Sequence, residues 1–97
     1  MKPLARALGR TLRALGIDRD VARADAVREW REAAAEVLGA DARATRAVRA
    51  DGDTLVIVVP TAQWAGEIRL REREILQVIA RRAPESRISR LRCVPSP

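Results

Sequence analysis

The chain has 97 residues, the length of one small domain. Lys and Arg total 19 against 13 Asp and Glu, and the resulting formal charge of +6 favours anionic partners such as nucleic acid. The absence of His, Tyr and Phe, with a single Cys, excludes a disulfide framework and a His/Cys zinc site and removes most nucleophile–base pairs. We therefore expect a protein that is not an enzyme, with no cofactor and no metal.

A basic amphipathic helix is predicted at the N-terminus. Leucines recur at spacings of four, four and three residues, at Leu4, Leu8, Leu12 and Leu15. Pro3 suits a first helical turn and Gly16 a C-terminal cap, so the pattern predicts a helix over residues 3–15. Residues 1–17 carry Lys2, three Arg and no acid, a charge of +4. The arginines interrupt the leucines, so we expect no signal peptide, and a cytoplasmic, nucleoid-associated protein.

A second helix is predicted from a cap at Asp18 or Asp20 to Gly39. Its apolar positions follow helical spacing, at Val27, Trp30, Ala34 and Val37. Residues 18–53 hold 7 Arg and 9 acids, a net charge of −2, so this segment as a whole is not an expected phosphate surface.

A β-hairpin is predicted next. Residues 42–50 are weakly strand-like, 54–59 form a continuous β-branched run, and Asp51-Gly52 between them is a typical tight turn. Pro60 ends the second strand.

A third helix is predicted from a cap at Thr61 to about Ala83. Leu70 is out of phase with its apolar stripe, which predicts a bend or a half-exposed stretch there. Residues 87–94 suit a last strand, with Arg90 and Arg92 on one face. Together these elements predict a two-layer α+β domain of order α-α-β-β-α-β with a three-stranded sheet packed against helices, in which 1–17 is the basic arm and 18–97 the domain.

Several side chains admit two interpretations. Trp30 and Trp64 occupy apolar helical stripes, which favours core packing over base stacking. We expect a structural core of Trp30, Val37, Leu55, Ile57, Trp64, Ile68, Ile75 and Ile79. Cys93 has no second Cys and no His to pair with, which favours an inert thiol over a reactive one. Arginines are interleaved with Glu29, Glu32 and Glu36, which favours a solvated charged helix face over a carboxylate site.

The arginines are the candidate nucleic-acid ligands, because a guanidinium forks onto phosphate. From residue 54 onward there are 8 Arg and 4 acids. The candidates are Arg43, Arg46, Arg49, Arg69, Arg73, Arg81, Arg82, Arg87, Arg90 and Arg92. The alternative is ordinary solvated charge, paired with nearby glutamates. No GxxxxGK[ST] loop is present, so nucleotide hydrolysis has no support.

Three stretches act together as a family motif. They are Trp30 with Val37-Leu38-Gly39, the turn and strand Asp51-Gly52-Asp53-Thr54-Leu55-Val56-Ile57-Val58-Val59, and Thr61-Ala62-Gln63-Trp64-Ala65-Gly66-Glu67-Ile68 followed by Glu74-Ile75-Leu76. In this combination the segment from Trp30 to about Val94 resembles the DciA family of bacterial replicative-helicase loaders. The resemblance implies a K-homology-like fold, binding to the hexameric replicative helicase, and assistance in loading it on single-stranded DNA without ATPase activity. No two glycines lie three residues apart, so the GXXG clamp of K-homology modules is not carried over.

The leading hypothesis is thus a helicase-loading adaptor, with Leu4, Leu8, Arg10 and Leu12 as candidate partner-binding residues and self-association left open. A stand-alone K-homology-like RNA- or DNA-binding module without a helicase partner is the alternative. A third interpretation makes the leucine arm an interfacial membrane anchor. That helix is short and lacks aromatic anchors, so we expect no membrane partner.

Overall fold

The computed structural model describes the chain from Ile17 to Pro97, with side chains described from Asp20 onward. The elements in order are α1 (Ile17–Leu38), a 3-10 turn (Ala40–Ala44), β1 (Arg46–Asp51), β2 (Thr54–Val59), α2 (Ala62–Leu70), α3 (Glu72–Arg82), a 3-10 turn (Pro84–Ser86) and β3 (Arg90–Pro95). This sequence of elements confirms the α+β class. The helix predicted over residues 3–15 lies outside the described residues.

The three strands form one mixed sheet in the order β1-β2-β3. β1 runs antiparallel to β2 across a two-residue turn, and Gly52 in that turn has a φ of 62°. The predicted hairpin is confirmed. β3 pairs in parallel with β2, so α2 and α3 together form the crossover that parallel strands require.

The end of α1 is confirmed at Gly39, whose φ is 90° and whose N–H donates to the Ala35 carbonyl at 2.9 Å. The predicted start is wrong, because α1 already includes Asp18 and Asp20. Asp20 does not cap the helix but pairs with Arg23 at 3.3 Å.

The first strand begins later than predicted, because residues 40–44 form a 3-10 turn. The Thr45 hydroxyl donates to the Ala42 carbonyl at 2.6 Å and accepts from the Trp30 indole N–H at 3.1 Å. These two bonds hold the turn against α1, and the strand follows at Arg46.

The third predicted helix is two helices that meet at Arg71, as the phase break at Leu70 indicated. Leu70 is 81% exposed. The predicted cap is confirmed, because the Thr61 hydroxyl accepts from the Trp64 N–H at 3.3 Å.

The last strand also begins later than predicted, at Arg90. Arg87 has a left-handed backbone with φ of 53°, which interrupts the extended conformation before the strand. The Ser89 and Arg90 N–H groups then both donate to the Asp53 carbonyl, at 2.8 and 3.2 Å, so the hairpin turn fixes where β3 starts. The Ser89 hydroxyl donates to the Asp53 carboxylate at 2.6 Å, and this bond lowers the pKa of Asp53.

The core lies between the helices and one face of the sheet. Six of the residues expected there are at most 1% exposed: Trp30, Leu55, Ile57, Ile68, Ile75 and Ile79. Val37 and Trp64 are only partly buried and pack at its margin, because both lie near helix ends. Small residues fill the rest of the α1 contact, at Ala26, Ala33 and Ala34.

Candidate nucleic-acid interface

The sheet face opposite the core is arginine-rich. The register aligns Arg46 with Val58, and it aligns Arg49 with Val56 and Arg92. Leu55 and Ile57 belong to the core, so the alternation of a strand places Val56 and Val58 on the other face. The arginines paired with them share that face. No described helix belongs to it.

A β-bulge brings two of these arginines to the same side. Arg46 and Arg49 are three residues apart, and in a regular strand that spacing would put them on opposite faces. The register shifts between Ala47 and Arg49, which leaves Val48 as the extra residue. Ala47 therefore points to the core while both arginines point away from it.

At the hairpin end of this face, one carboxylate joins β1 to β3. Asp51 Oδ2 lies 3.1 Å from Arg49 Nε and 3.5 Å from an Arg92 terminal nitrogen. All three side chains are about half exposed, at 52% for Asp51 and 55% for each arginine. Val56, between the arginines, is completely buried, and long arginine stems readily cover such apolar surface. Asp51 thus holds the two guanidiniums in place and also neutralises them in part.

Arg90 and Arg73 both lie at the β3 edge of the sheet. They line an open groove of about 600 Å³ between α3 and β3, with Leu76 and Leu91. Glu72 in the same groove accepts from the Leu91 N–H at 2.8 Å. Because β3 is an edge strand, this carboxylate satisfies a backbone donor that no further strand pairs.

A second groove, of about 320 Å³, lies between α1 and β1. Its lining includes Arg31, Arg43 and Arg46, which come from α1, the 3-10 turn and β1. All three are exposed, and none of the described residues that line the groove carries a carboxylate.

Two of the candidate arginines are engaged elsewhere. Arg81 donates to Glu36 at 2.5 Å, and Arg82 lies 3.6 Å from both Glu36 and Glu29. These contacts join α3 to α1, and hydrogen bonding to Arg81 lowers the pKa of Glu36. The glutamates neutralise both cations, so Arg81 and Arg82 form a structural ion-pair cluster. Arg69 on α2 and Arg87 before β3 are exposed, and neither lines the grooves described above.

Three other predictions concern the leucine arm, Trp64 and Cys93. Leu4, Leu8, Arg10 and Leu12 lie outside the described residues. Trp64 lines a groove of about 300 Å³ with Leu38, Gln63 and two acids, Asp41 and Glu67. Burial raises the pKa of the Cys93 thiol.

Neither a metal site nor a membrane span is found between residues 17 and 97. No three Cys, Asp or Glu side chains among residues 20–97 are grouped as metal ligands would be. None of its helices has both the length and the hydrophobicity to cross a bilayer.

Sequence reasoning missed two residues of this surface. Arg31 and Asp51 fall in the segment 18–53, whose net charge is negative. The fold separates its charges in space: Glu29 and Glu36 face α3, whereas Arg31, Arg43 and Arg46 gather at the β1 edge. The net charge of a whole segment cannot show this separation. The only sequence signal for Arg31 was its place between Arg28 and Glu32, which indicated a charged face of the helix.

The fold and its arginines define a small basic α+β domain of order αββααβ whose described part has no metal site. The family model described as "Dna[CI] antecedent, DciA" matches residues 3–93, and the chain belongs to this family, which is associated with helicase loading in bacterial DNA replication. The family consists of loaders or adaptors and is not in general catalytic. No curated protein matches the sequence significantly.

Proposed function

We propose that this protein is a non-catalytic adaptor that binds the hexameric replicative DNA helicase and assists its loading on single-stranded DNA during replication initiation. The observation that carries the proposal is the family match over residues 3–93. The sequence supports a non-catalytic role, since it lacks a phosphate-binding glycine loop and histidine.

DNA contact in this proposal belongs to the sheet face opposite the core. Arg46, Arg49, Arg90 and Arg92 supply its positive charge, and Arg73 extends that charge into the α3–β3 groove. The face has no exposed aromatic side chain, because Trp30 is 1% exposed and Trp64 lies in a different groove. Bases therefore have no stacking platform, and we propose binding through phosphates, with strong salt dependence and little sequence preference.

Helicase contact in this proposal belongs to the leucine-rich arm, through Leu4, Leu8, Arg10 and Leu12. On the helix predicted for this arm, a row of leucines would offer apolar area to a protein groove, while its arginines would meet acids at the rim. The same row is suited to self-association, which the molecular mass in solution measures directly. The location that follows from this function is the cytoplasm, at the nucleoid.

The first experiment measures binding of the purified chain to the helicase hexamer from the same host, by interferometry at physiological salt without DNA. We expect saturable binding, weakened in a variant with Leu4→Ala, Leu8→Ala and Leu12→Ala. Leu70→Ala is the matched control, because Leu70 is 81% exposed and lies outside the arm. Equal binding by both variants would contradict the role of the arm.

The second experiment measures loading on circular single-stranded DNA, which has no end for a closed ring to thread. We expect the chain to increase the fraction of helicase that remains on the circle after a high-salt wash. No increase, with no helicase binding, would contradict the adaptor function. Tighter binding to structured RNA than to single-stranded DNA would then indicate the stand-alone nucleic-acid module.

A further inference from the structure

The groove between α1 and β1 concentrates positive charge that no carboxylate among residues 20–97 neutralises. Arg31, Arg43 and Arg46 line it, and no carboxylate is among its lining residues. Among residues 20–97, seven other arginines lie within 4 Å of a carboxylate: Arg23, Arg28, Arg49, Arg71, Arg81, Arg82 and Arg92. None of the three groove arginines has such a contact in this part of the chain. Because like charges repel, an arrangement of this kind is stabilised by an external anion.

The floor of the groove is apolar. Val27, Trp30 and Ala47 line it beneath the arginines. Trp30 is fixed by its hydrogen bond to Thr45, whose hydroxyl in turn donates to the Ala42 carbonyl. Thr45 is itself 5% exposed. The bond network positions the 3-10 turn that carries Arg43 next to α1, which carries Arg31, so the two guanidiniums project from a fixed base.

The groove is continuous with the proposed DNA surface through a shared residue. Arg46 lines the groove and also lies on the sheet face, on the same strand and side as Arg49. A row of arginines therefore extends from Arg31 around the β1 edge to Arg92 on β3, with the Asp51 carboxylate between Arg49 and Arg92. An extended track of this kind matches a polyanion better than a small isolated anion.

We propose that the Arg31–Arg43–Arg46 groove binds the phosphate backbone of single-stranded DNA, as a continuation of the sheet-face arginines. The inference rests on the proposed function for its ligand, and it adds a site and one residue, Arg31, to that function. Guanidinium forks suit phosphate oxygens, and the apolar floor accommodates the sugar rather than a stacked base. The site reads no sequence, because Trp30 offers no exposed ring face.

The test compares two double variants of the full chain. Arg31→Gln with Arg43→Gln removes two groove charges, and Arg28→Gln with Arg71→Gln removes two exposed arginines that are paired with Asp25 and Glu74. The probe is a fluorescent oligothymidylate of about 20 nucleotides, longer than the site of one small domain. Binding is measured by anisotropy over a series of salt concentrations, with the unfolding midpoint of each variant measured alongside.

For the groove variant we expect roughly tenfold weaker binding and a salt slope reduced by about 0.7 for each phosphate that the protein no longer neutralises. We expect the control variant to differ much less from wild type in affinity. Both variants should keep the wild-type unfolding midpoint within a few degrees, because all four residues are exposed. The control should be the lower of the two, because it also loses the hydrogen bond from Arg71 to the Val37 carbonyl, at 3.3 Å.

Three outcomes overturn the inference. If wild type binds the oligonucleotide and the groove variant matches the control, the groove is not part of the DNA site, and the proposed function stands. If the groove variant loses helicase binding but keeps its DNA affinity, the groove contacts protein. If wild type shows no salt-dependent binding to the oligonucleotide, the DNA part of the proposed function fails together with this inference.

Discussion

Removal of the Asp51 charge should strengthen the binding of DNA to the sheet face. Its carboxylate lies 3.1 Å from Arg49 and 3.5 Å from Arg92, so a phosphate that binds both guanidiniums must compete with it. Asp51→Asn removes this charge and keeps the size and the oxygen acceptor of the side chain. Asn is also suited to the residue before a tight Gly turn, so the hairpin at Gly52 is preserved.

The exposure of the Asp51 side chain sets the expected changes in stability and in DNA affinity. Asp51 is 52% exposed, so each ion pair is worth about 0.2–1 kcal/mol and the variant should lose little stability. One unit charge about 4 Å from a phosphate costs about 1 kcal/mol in water, and removal of the carboxylate should relieve that repulsion. About 1 kcal/mol corresponds to roughly fivefold tighter binding of single-stranded DNA. The salt slope should steepen by up to about 0.7 for each phosphate newly neutralised.

The assay is oligothymidylate anisotropy at several salt concentrations, with Glu36→Gln as the matched control. Glu36 also contacts two arginines, Arg81 and Arg82, and its replacement changes the net charge equally, but it lies between α1 and α3. We expect Asp51→Asn to bind DNA more tightly than Glu36→Gln. Equal affinities, or weaker binding by Asp51→Asn, would refute the assignment of the DNA site to the sheet face.

Three further predictions concern the fold. Trp30→Ala should cost about 3–5 kcal/mol in the free energy of unfolding, because the side chain is 1% exposed and holds Thr45; an unchanged denaturant midpoint would contradict its place in the core. Gly52→Ala should lower the free energy of unfolding by about 1–2 kcal/mol through backbone strain alone, because φ is 62° and nothing lies within 4 Å of the added Cβ. Gly66→Ala is the control: Gly66 lies in a helix with equally open space, so its replacement should leave the stability unchanged or raise it. Cys93 should react with a thiol reagent more slowly in the folded than in the denatured chain between pH 8 and 9, since burial raises its pKa. The stability that this shift contributes should be present at neutral pH and lost as the pH rises through the folded pKa. Equal reaction rates in the two states would contradict the burial of the thiol.

Local signals in the sequence were sufficient for much of the fold. The Asp51-Gly52 pair between β-favouring residues predicted the hairpin, and the position of Leu70 predicted where the crossover helix breaks. Each depends on backbone geometry or on helical phase within a few residues. The strand starts were less accurate, because they depend on distant contacts: Thr45 with Trp30 before β1, and Ser89 with Asp53 before β3.

The candidate site was harder to predict, because charge in a folded domain is arranged by packing. Arg81 and Arg82 had the same sequence signal as Arg90 and Arg92, yet α3 packs on α1 and gives the first pair carboxylate partners. The bulge at Val48, which aligns Arg46 with Arg49, has no clear sequence signal in an alanine-rich strand. Arg31 was hidden by its acidic neighbours along the helix.

The most direct test of the central claim is the binding of this 97-residue chain to the replicative helicase hexamer of its own host, measured by interferometry at physiological salt without DNA. The adaptor function predicts saturable binding that the Leu4→Ala, Leu8→Ala, Leu12→Ala variant weakens and Leu70→Ala does not. No binding at helicase concentrations that support loading would contradict it.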